Sequence, residues 1–253
     1  MGRSTYIGIA AAVAISSFAF RFFLKPHQPP QPSRLFIAQE LSLYNGTDEQ
    51  LPIFLGILGS VFDVTKGKSH YGVGGAYNHF AGRDASRAFV SGNFTGDGLT
   101  DTLRGLSSSE VKSVVEWRDF FVKTYTWTIN IPPICFIPLR SVGRLIGRYY
   151  DYRGKPTKYL KNAEAKAARG AQLLAKQKKE EEKIPNCNSK WSQHEGGEVW
   201  CDDGYPRLIQ RPLEIALTGK MSKRCVCLKE EELKQPGLEV YEGCDYHAKA
   251  CKV

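Results

Sequence analysis

The stretch SHYGVGGAYNHFAGRDASRAF, residues 69–89, contains two tyrosines six positions apart, Tyr71 and Tyr77, around a cluster of glycines. Gly72, Gly74 and Gly75 remove three side chains within four positions, so the backbone can turn tightly or approach a flat ligand closely. A glycine cluster on its own predicts only a loop. The elements on either side of it therefore decide which fold the stretch belongs to.

The flanking sequence predicts short strands and helices. LFIAQELSLYNG predicts a strand, a helical turn and a turn at Asn45-Gly46, and PIFLGILGSVFDVTKG predicts two strands interrupted at Gly59-Ser60. One helix is expected to begin near Asp84, with that carboxylate capping it. A second is expected over SSSEVKSVVEWRDFFVKTY, with Ser107 or Ser108 as the cap. Short helices packed at one end of a sheet make an α+β domain over about residues 35–128.

The chain changes character after residue 128. Residues 129–157 include INIPPICFIPLR, with three prolines, and predict a linker. Residues 158–183 predict a long helix that is charged on every face but one. That face is a narrow seam of small or apolar residues: Leu160, Ala163, Ala167, Ala171 and Leu174. We interpret the helix as a solvated spacer or docking helix, with a site for acidic partners or lipid head groups as the alternative.

The net charge is concentrated in this part of the chain. Between Arg140 and Lys183 there are 13 Lys or Arg against 5 Asp or Glu, which accounts for nearly all of the net charge of +9. The rest of the chain is close to neutral. No basic nucleic-acid-binding domain is therefore indicated, and nucleic acid is not an expected partner.

Six of the seven cysteines fall in the last 67 residues, and only Cys135 lies elsewhere. The six are Cys187, Cys201, Cys225, Cys227, Cys244 and Cys251. An even number in a small module, residues 184–253, predicts a disulfide framework whose pairing the sequence leaves open. Zinc is the alternative, with His194 and His247 as further ligands. It is disfavoured because Cys225 and Cys227 are closer in sequence than standard zinc ligand pairs.

The N-terminus predicts a targeting segment. Tyr6 to Phe20 is an uncharged run of 15 residues, which is short for a membrane span. Residues 1–19 are interpreted as a cleaved signal peptide, or alternatively as a signal anchor reaching about residue 24, followed by a proline-rich spacer over 25–34. Asn45 and Asn93 each begin a glycosylation acceptor triplet. Together these features predict a secreted protein, or alternatively one anchored by its N-terminus in the endoplasmic reticulum or another endomembrane.

The common catalytic motifs are missing from the sequence. It contains no G-x-S-x-G elbow, no phosphate-binding P-loop, no H-E-x-x-H and no G-x-G-x-x-G between a strand and a helix. The five histidines are scattered along the chain, and no pair of carboxylates stands out as a candidate acid and base. We therefore expect a protein that is not an enzyme.

Three motifs in one order, VFDVTKG, YGVGGAY and FAGRDASRAF, followed by a helix containing Glu-Trp, give the chain a family resemblance. The order resembles the haem-binding domain of the cytochrome b5 superfamily, and within it the membrane-associated progesterone receptor branch. The resemblance implies a cytochrome b5-like domain over 35–128 with haem b as cofactor. The long basic helix and disulfide-rich module then follow it.

The resemblance also implies which residues hold the haem. Cytochrome b5 clamps the iron between two histidines, one of them in a His-Pro-Gly-Gly turn, but here the matching turn is Gly72-Val73-Gly74-Gly75. The branch uses a tyrosine instead, and Tyr77 matches that axial ligand. Tyr71 matches the tyrosine that supports it by a hydrogen bond favouring the phenolate. The alternatives are that His79 is the ligand, or that both tyrosines are only core aromatics.

Other positions match the cofactor contacts of the branch less directly. Gly74 and Gly75 match the backbone that approaches the haem. A Lys-Tyr pair of the branch lies near the haem edge, and Tyr125 matches its tyrosine. The lysine position holds Thr124, with Lys123 one residue earlier, so Lys123 is the weaker assignment.

The function implied by the resemblance is binding of ferric haem in the secretory pathway or outside the cell, with signalling in neuronal differentiation as its result. One alternative is a membrane-anchored haem chaperone or electron-transfer partner of endomembrane cytochrome P450 enzymes. Another is an interaction module that acts through the basic helix and the disulfide tail. The expected partners are haem, a protein or a second copy stacked through haem, and a membrane contacted by the N-terminal segment.

Overall fold

The computed structural model describes residues 34–124 and 141–253. The predicted signal peptide or anchor, most of the spacer, Tyr125 and Cys135 lie outside the described residues. Within these two ranges, no helix has the length and hydropathy needed to cross a membrane.

A four-stranded sheet with the order β1-β4-β3-β2 forms the base of the first part of the chain. Its strands are β1 (Arg34–Phe36), β2 (Phe54–Ile57), β3 (Ser60–Asp63) and β4 (Gly143–Leu145). β2 and β3 form an antiparallel hairpin, which confirms the predicted strand pair. Its two turn residues, Leu58 and Gly59, have φ of 50° and 73°, a geometry that suits a two-residue connection between twisted strands.

Four helices belong to the same part of the chain. They are α1 (Ala38–Leu41), α2 (Lys68–Tyr71), α3 (Ala88–Ser91) and α4 (Ser108–Thr124). The predicted capping of α4 is confirmed: Ser107 Oγ accepts the Glu110 N–H at 3.2 Å, and Glu110 Oε2 accepts the Ser107 N–H at 2.7 Å. Val114 and Phe121 of α4 pack with Leu55 of the sheet in the main core. The predicted α+β class is confirmed.

The role predicted for Asp84 as a helix cap is wrong. α3 begins four residues later, at Ala88, and its N-cap residue makes no side-chain capping bond. The buried Asp84 carboxylate instead accepts the Gly59 N–H at 2.6 Å and the Ser86 N–H and hydroxyl at 3.0 and 2.6 Å. It therefore holds the β2–β3 turn against the loop before α3. Burial is the main cause that raises its pKa to about 6.

The part of the predicted linker that is described, residues 141–157, belongs to the domain. β4 pairs in parallel with β1 and antiparallel with β3, so it fills the gap between them. Tyr149 and Tyr150 are buried in the main core. The prolines that predicted a linker lie at 132–138, outside the described residues, and the pattern after them was too short to indicate a strand.

The long helix predicted over 158–183 is confirmed as α5 (Lys158–Glu181). It packs along α4 through Leu160, Ala163, Ala167 and Gly170, which are all buried. The predicted seam is therefore partly wrong, because Ala171 and Leu174 are exposed. A Cβ at Gly170 would lie 2.7 Å from the Ser108 carbonyl oxygen, so glycine lets the two helices approach closely.

The cysteine module forms two small sheets and one helix. Its elements are β5 (Asn188–Ser192), β6 (Gly196–Trp200), β7 (Tyr205–Gln210), α6 (Pro212–Thr218), β8 (Lys223–Leu228) and β9 (Ala250–Lys252). β5, β6 and β9 form one sheet, and β7 pairs with β8 in the other. The predicted disulfide framework is confirmed by three pairs: Cys187–Cys225, Cys201–Cys227 and Cys244–Cys251. Since all six cysteines are paired, none of them offers a thiolate to zinc.

Candidate functional site

The glycine cluster forms a compact turn that follows α2 directly. Gly72 ends the helix because its backbone is extended, with φ −73° and ψ 176°. The turn closes through the Gly75 N–H, which donates to the Gly72 carbonyl, and the Tyr77 N–H, which donates to the His70 carbonyl, both at 2.9 Å. This hydrogen bonding fixes the positions of both tyrosines relative to one another.

Gly74 and Gly75, both predicted to face the haem, have different structural roles. A Cβ at Gly75 would collide with the His70 carbonyl oxygen, so glycine is required there by the turn itself. Gly74 has φ +82°, and a Cβ built on it meets no atom within 4 Å. The backbone at Gly74 therefore faces open space.

Tyr71 and Tyr77 lie side by side, with ring centroids 6.0 Å apart and planes inclined by 39°. Tyr71 is half-buried and packs against the main core, whereas Tyr77 is 47% exposed. Tyr71 therefore lies on the core side of the pair and Tyr77 on the solvent side. Their roles as supporting residue and ligand stay a prediction.

Asn78 secures the turn from behind, a role that the sequence did not reveal. Its side-chain amide donates to the carbonyl oxygens of Tyr71, at 2.9 Å, and Asn45, at 3.1 Å. The turn is therefore tied to the segment after α1. In the sequence, only its position directly after Tyr77 distinguished Asn78, because a single asparagine in a loop is common.

An aromatic patch extends from Tyr77 across the neighbouring surface; we define it as His79, Phe80, Phe89, Phe94, Trp117 and Phe120. The His79 ring stacks on Phe94 with centroids 4.3 Å apart, Phe80 contacts Phe89 at 4.4 Å, and Trp117 follows at 5.8 Å from Phe89. Phe94, Trp117 and Phe120 are each more than 40% exposed. Most of the patch was missed, because these residues come from three separate segments.

His79 is poorly placed to act as an axial ligand. Its Nε2 atom is buried and has no hydrogen-bond partner among the described residues. Burial and, second, the charge of Arg83 lower the pKa of its imidazole. The His79 ring is thus stacked on Phe94, whereas the Tyr77 ring is exposed.

The remaining predicted contacts are partly outside the described residues. Lys123 lies exposed in the last turn of α4, three residues beyond Phe120 of the patch. Tyr125 is not described.

Both predicted glycosylation acceptors form a local turn in which the asparagine Oδ1 accepts the backbone N–H of the threonine two residues later: Asn45 with Thr47, at 2.9 Å, and Asn93 with Thr95, at 3.1 Å. Glycosylation itself remains a prediction.

Comparison with known proteins places this site in a family context. The family model described as "Cytochrome b5-like Heme/Steroid binding domain" matches residues 38–124. The chain is 64% identical to membrane-associated progesterone-binding protein 4 of Arabidopsis thaliana, over 99% of this chain and 96% of that protein. It is 33% identical to neuferricin of Mus musculus, over 99% of this chain and 98% of that protein.

A solved structure from Arabidopsis thaliana, described as having a cytochrome b5 like fold, shares 38% identity with the chain. It covers 48% of this chain and 98% of its own, with a TM-score of 0.38.

Proposed function

The chain belongs to the neuferricin group of the membrane-associated progesterone receptor family, and from that membership we propose that Tyr77 ligates ferric haem b in a protein that is not an enzyme. The matched domain is a cytochrome b5-like haem-binding domain. The choice of Tyr77, the ferric state and the type of haem are our proposal.

The observation that carries this proposal is the exposed Tyr77 ring, held beside Tyr71 and next to the open space at Gly74. The aromatic patch continues from it and gives a flat apolar macrocycle a large surface to pack against. The residues present therefore fit haem. They do not fit the arrangement with two histidines, because the turn contains no histidine and Nε2 of His79 is buried.

Each residue has a distinct task in this proposal. When bound, the haem supplies an Fe(III) centre, which a phenolate oxygen stabilises as a hard anionic donor. Tyr77 provides that oxygen, and Tyr71 holds the Tyr77 ring in position. The aromatic patch orients the macrocycle and keeps water from one of its faces. Lys123 and Tyr125 are proposed as secondary contacts near the haem edge.

The absorption spectrum of the full chain loaded with haem tests this proposal. We expect a Soret band typical of ferric high-spin haem, and Tyr77→Phe should lose it. Tyr152→Phe is the matched control, since Tyr152 is 68% exposed and lies outside the site. A spectrum showing two imidazoles on the iron, or an unchanged spectrum in Tyr77→Phe, would overturn the proposal.

We also propose that the chain enters the secretory pathway. The three disulfides support this, since disulfides persist mainly in oxidising compartments. The two acceptor triplets at Asn45 and Asn93 point to the same compartment. Secretion of the mature protein, rather than retention by an N-terminal anchor, can be tested by sequencing its N-terminus: we expect a start near Phe20.

The biological result of haem binding remains a separate prediction. A protein from Arabidopsis thaliana, an organism without neurons, is 64% identical over nearly the whole chain. We therefore propose haem binding as the shared property and treat neuronal differentiation as one result expected only in animals. Haem transfer to P450 enzymes, electron transfer and dimers stacked through haem also stay predictions.

A further inference from the structure

A cavity of about 410 Å³ lies between α4, the start of α5 and the loops near residues 102–104 and 148–149. We call it the basic cavity. None of its lining residues belongs to the glycine turn or the aromatic patch. It is therefore separate from the proposed haem site, and its volume is within the range of small-molecule pockets, roughly 300–1,000 Å³.

The basic cavity has a strongly one-sided charge. Arg104, Arg148 and Lys166 line it, and no acidic residue does. Asp101 pairs with Arg148 from outside the lining, with 3.0 Å between Arg148 Nε and Asp101 Oδ1. Glu110 is a second nearby carboxylate, since it interacts electrostatically with Lys166. Three cations and two carboxylates leave a net charge of +1. Such a charge in a concave site focuses the potential and attracts anions.

The cations keep donors available for a ligand. The Arg104 guanidinium is exposed and has no ion pair or hydrogen bond with the described residues. Arg148 uses only Nε for Asp101, so both terminal nitrogens remain. Lys166 Nζ donates one bond, to the Leu106 carbonyl at 2.6 Å, of the three that it can make.

The walls of the basic cavity are partly aromatic. Tyr149 is buried, and Tyr159 is exposed with the Arg148 guanidinium 5.5 Å from its ring centroid. Leu103 and Val111 add aliphatic surface, and the amide of Asn162 adds hydrogen-bonding capacity. A ligand that carries an organic group next to its anionic group can therefore use both kinds of wall.

From this geometry we propose that the basic cavity binds a phosphate monoester, with the phosphate against Arg104, Arg148 and Lys166 and the organic group against Tyr149 and Leu103. A phosphate monoester carries close to two negative charges at pH 7, so it is attracted more strongly by the three lining cations than a single carboxylate is. Arginine forks also match the phosphate oxygens in pairs.

Two sources present this chemistry: a soluble phosphate monoester and the head group of a phosphorylated inositol lipid. Titration calorimetry of the full chain with phenyl phosphate tests the first source. Co-sedimentation with phosphatidylcholine vesicles containing a phosphatidylinositol monophosphate tests the second. Saturable binding in either experiment supports the proposal, provided that it depends on the residues of the cavity.

Arg104→Gln is the variant to use, because this side chain has no partner among the described residues and its removal should leave the fold intact. We expect it to weaken binding by roughly tenfold, since one charge-assisted contact is lost. Lys161→Gln is the matched control: it removes one positive charge from the same part of α5, outside the lining. Tyr77→Phe should bind the phosphate ester like wild type, which separates this proposal from the haem proposal.

Three results would overturn the proposal. The first is the absence of saturable binding in both experiments. The second is equal weakening by Arg104→Gln and Lys161→Gln, which would indicate only general attraction to the basic helix. The third is equal affinity for phenyl phosphate and benzoate, which would show that the cavity does not select a dianion.

Discussion

The Tyr77 N–H donates to the carbonyl oxygen of His70 at 2.9 Å, and this bond closes the turn on which the proposed haem ligand depends. The same carbonyl lies where a side chain at Gly75 would have to be. The His70 carbonyl oxygen therefore both fixes the backbone at Tyr77 and excludes any side chain at position 75.

Replacing each glycine of the turn should give different results. Gly75→Ala should open the turn, displace Tyr77 and abolish haem binding, because the added Cβ meets backbone atoms that cannot move away cheaply. Gly74→Ala should cost about 1–2 kcal/mol of folding free energy from its positive φ while keeping the turn closed. Haem titration and urea unfolding of both variants check this; equal haem affinity in the two would contradict it.

Asp84 should make the stability of the domain depend on pH. Its folded-state pKa, about 6, is raised above the ordinary value of 3.8, so the folded state binds the proton more tightly. The stabilisation is therefore complete below about pH 4 and is lost as the pH rises through about 6. At about 1.4 kcal/mol per pKa unit, the loss is roughly 3 kcal/mol.

The control for this prediction is Asp84→Asn, which keeps one acceptor and removes the charge. The difference between the unfolding free energies of wild type and variant should change between pH 4 and 6. A constant difference across that range would show that Asp84 is not the group responsible.

The buried face of α5 predicts different outcomes for substitutions at Ala167 and Ala171, which are one helical turn apart. Ala167→Leu should destabilise the chain by about 1–3 kcal/mol, because Ala167 is buried against α4 and the larger side chain overpacks the contact. Ala171→Leu should change stability by less than about 0.5 kcal/mol, since this position is exposed. Urea unfolding measures the free energy of unfolding of both variants. Equal losses of stability would show that α4 covers Ala171 as it covers Ala167.

The disulfides should differ in their contribution to stability. Cys187–Cys225 closes a sequence separation of 38 residues and Cys244–Cys251 one of only 7. On chain-entropy grounds, replacing the first pair by serines should cost about 4 kcal/mol and the second about 2 kcal/mol. Thermal unfolding of the two double variants tests the order. The haem spectrum serves as the control, because no cysteine of the module belongs to the proposed site.

The sequence predicted those features that depend on local pattern. The β2–β3 pair, α4 with its cap, α5 and the disulfide module all follow from apolar periodicity, capping residues and cysteine spacing. The family resemblance also assigned Tyr77 and Tyr71 to the haem, and that assignment stays a prediction.

Features that depend on distant parts of the chain were missed or placed wrongly. Asp84 looked like a helix cap, yet its carboxylate bonds the Gly59 N–H, 25 residues earlier. The aromatic patch unites segments around residues 80, 94 and 117, which no periodicity connects. The seam of α5 follows Gly170 rather than Ala171, because the close approach of α4 decides which face is covered.

The position of β4 between β1 and β3 has a consequence for how this protein can be divided. A fragment ending at residue 128, the end of the predicted haem-binding domain, would leave two strands of its sheet with unpaired amides and carbonyls on either side of a missing partner. It would also lack Tyr149 and Tyr150, which fill the interior behind Phe62 and Val64. The domain that contains the proposed haem site is thus completed by residues that follow it in the chain, so its folding has to wait for the synthesis of residues 143–150.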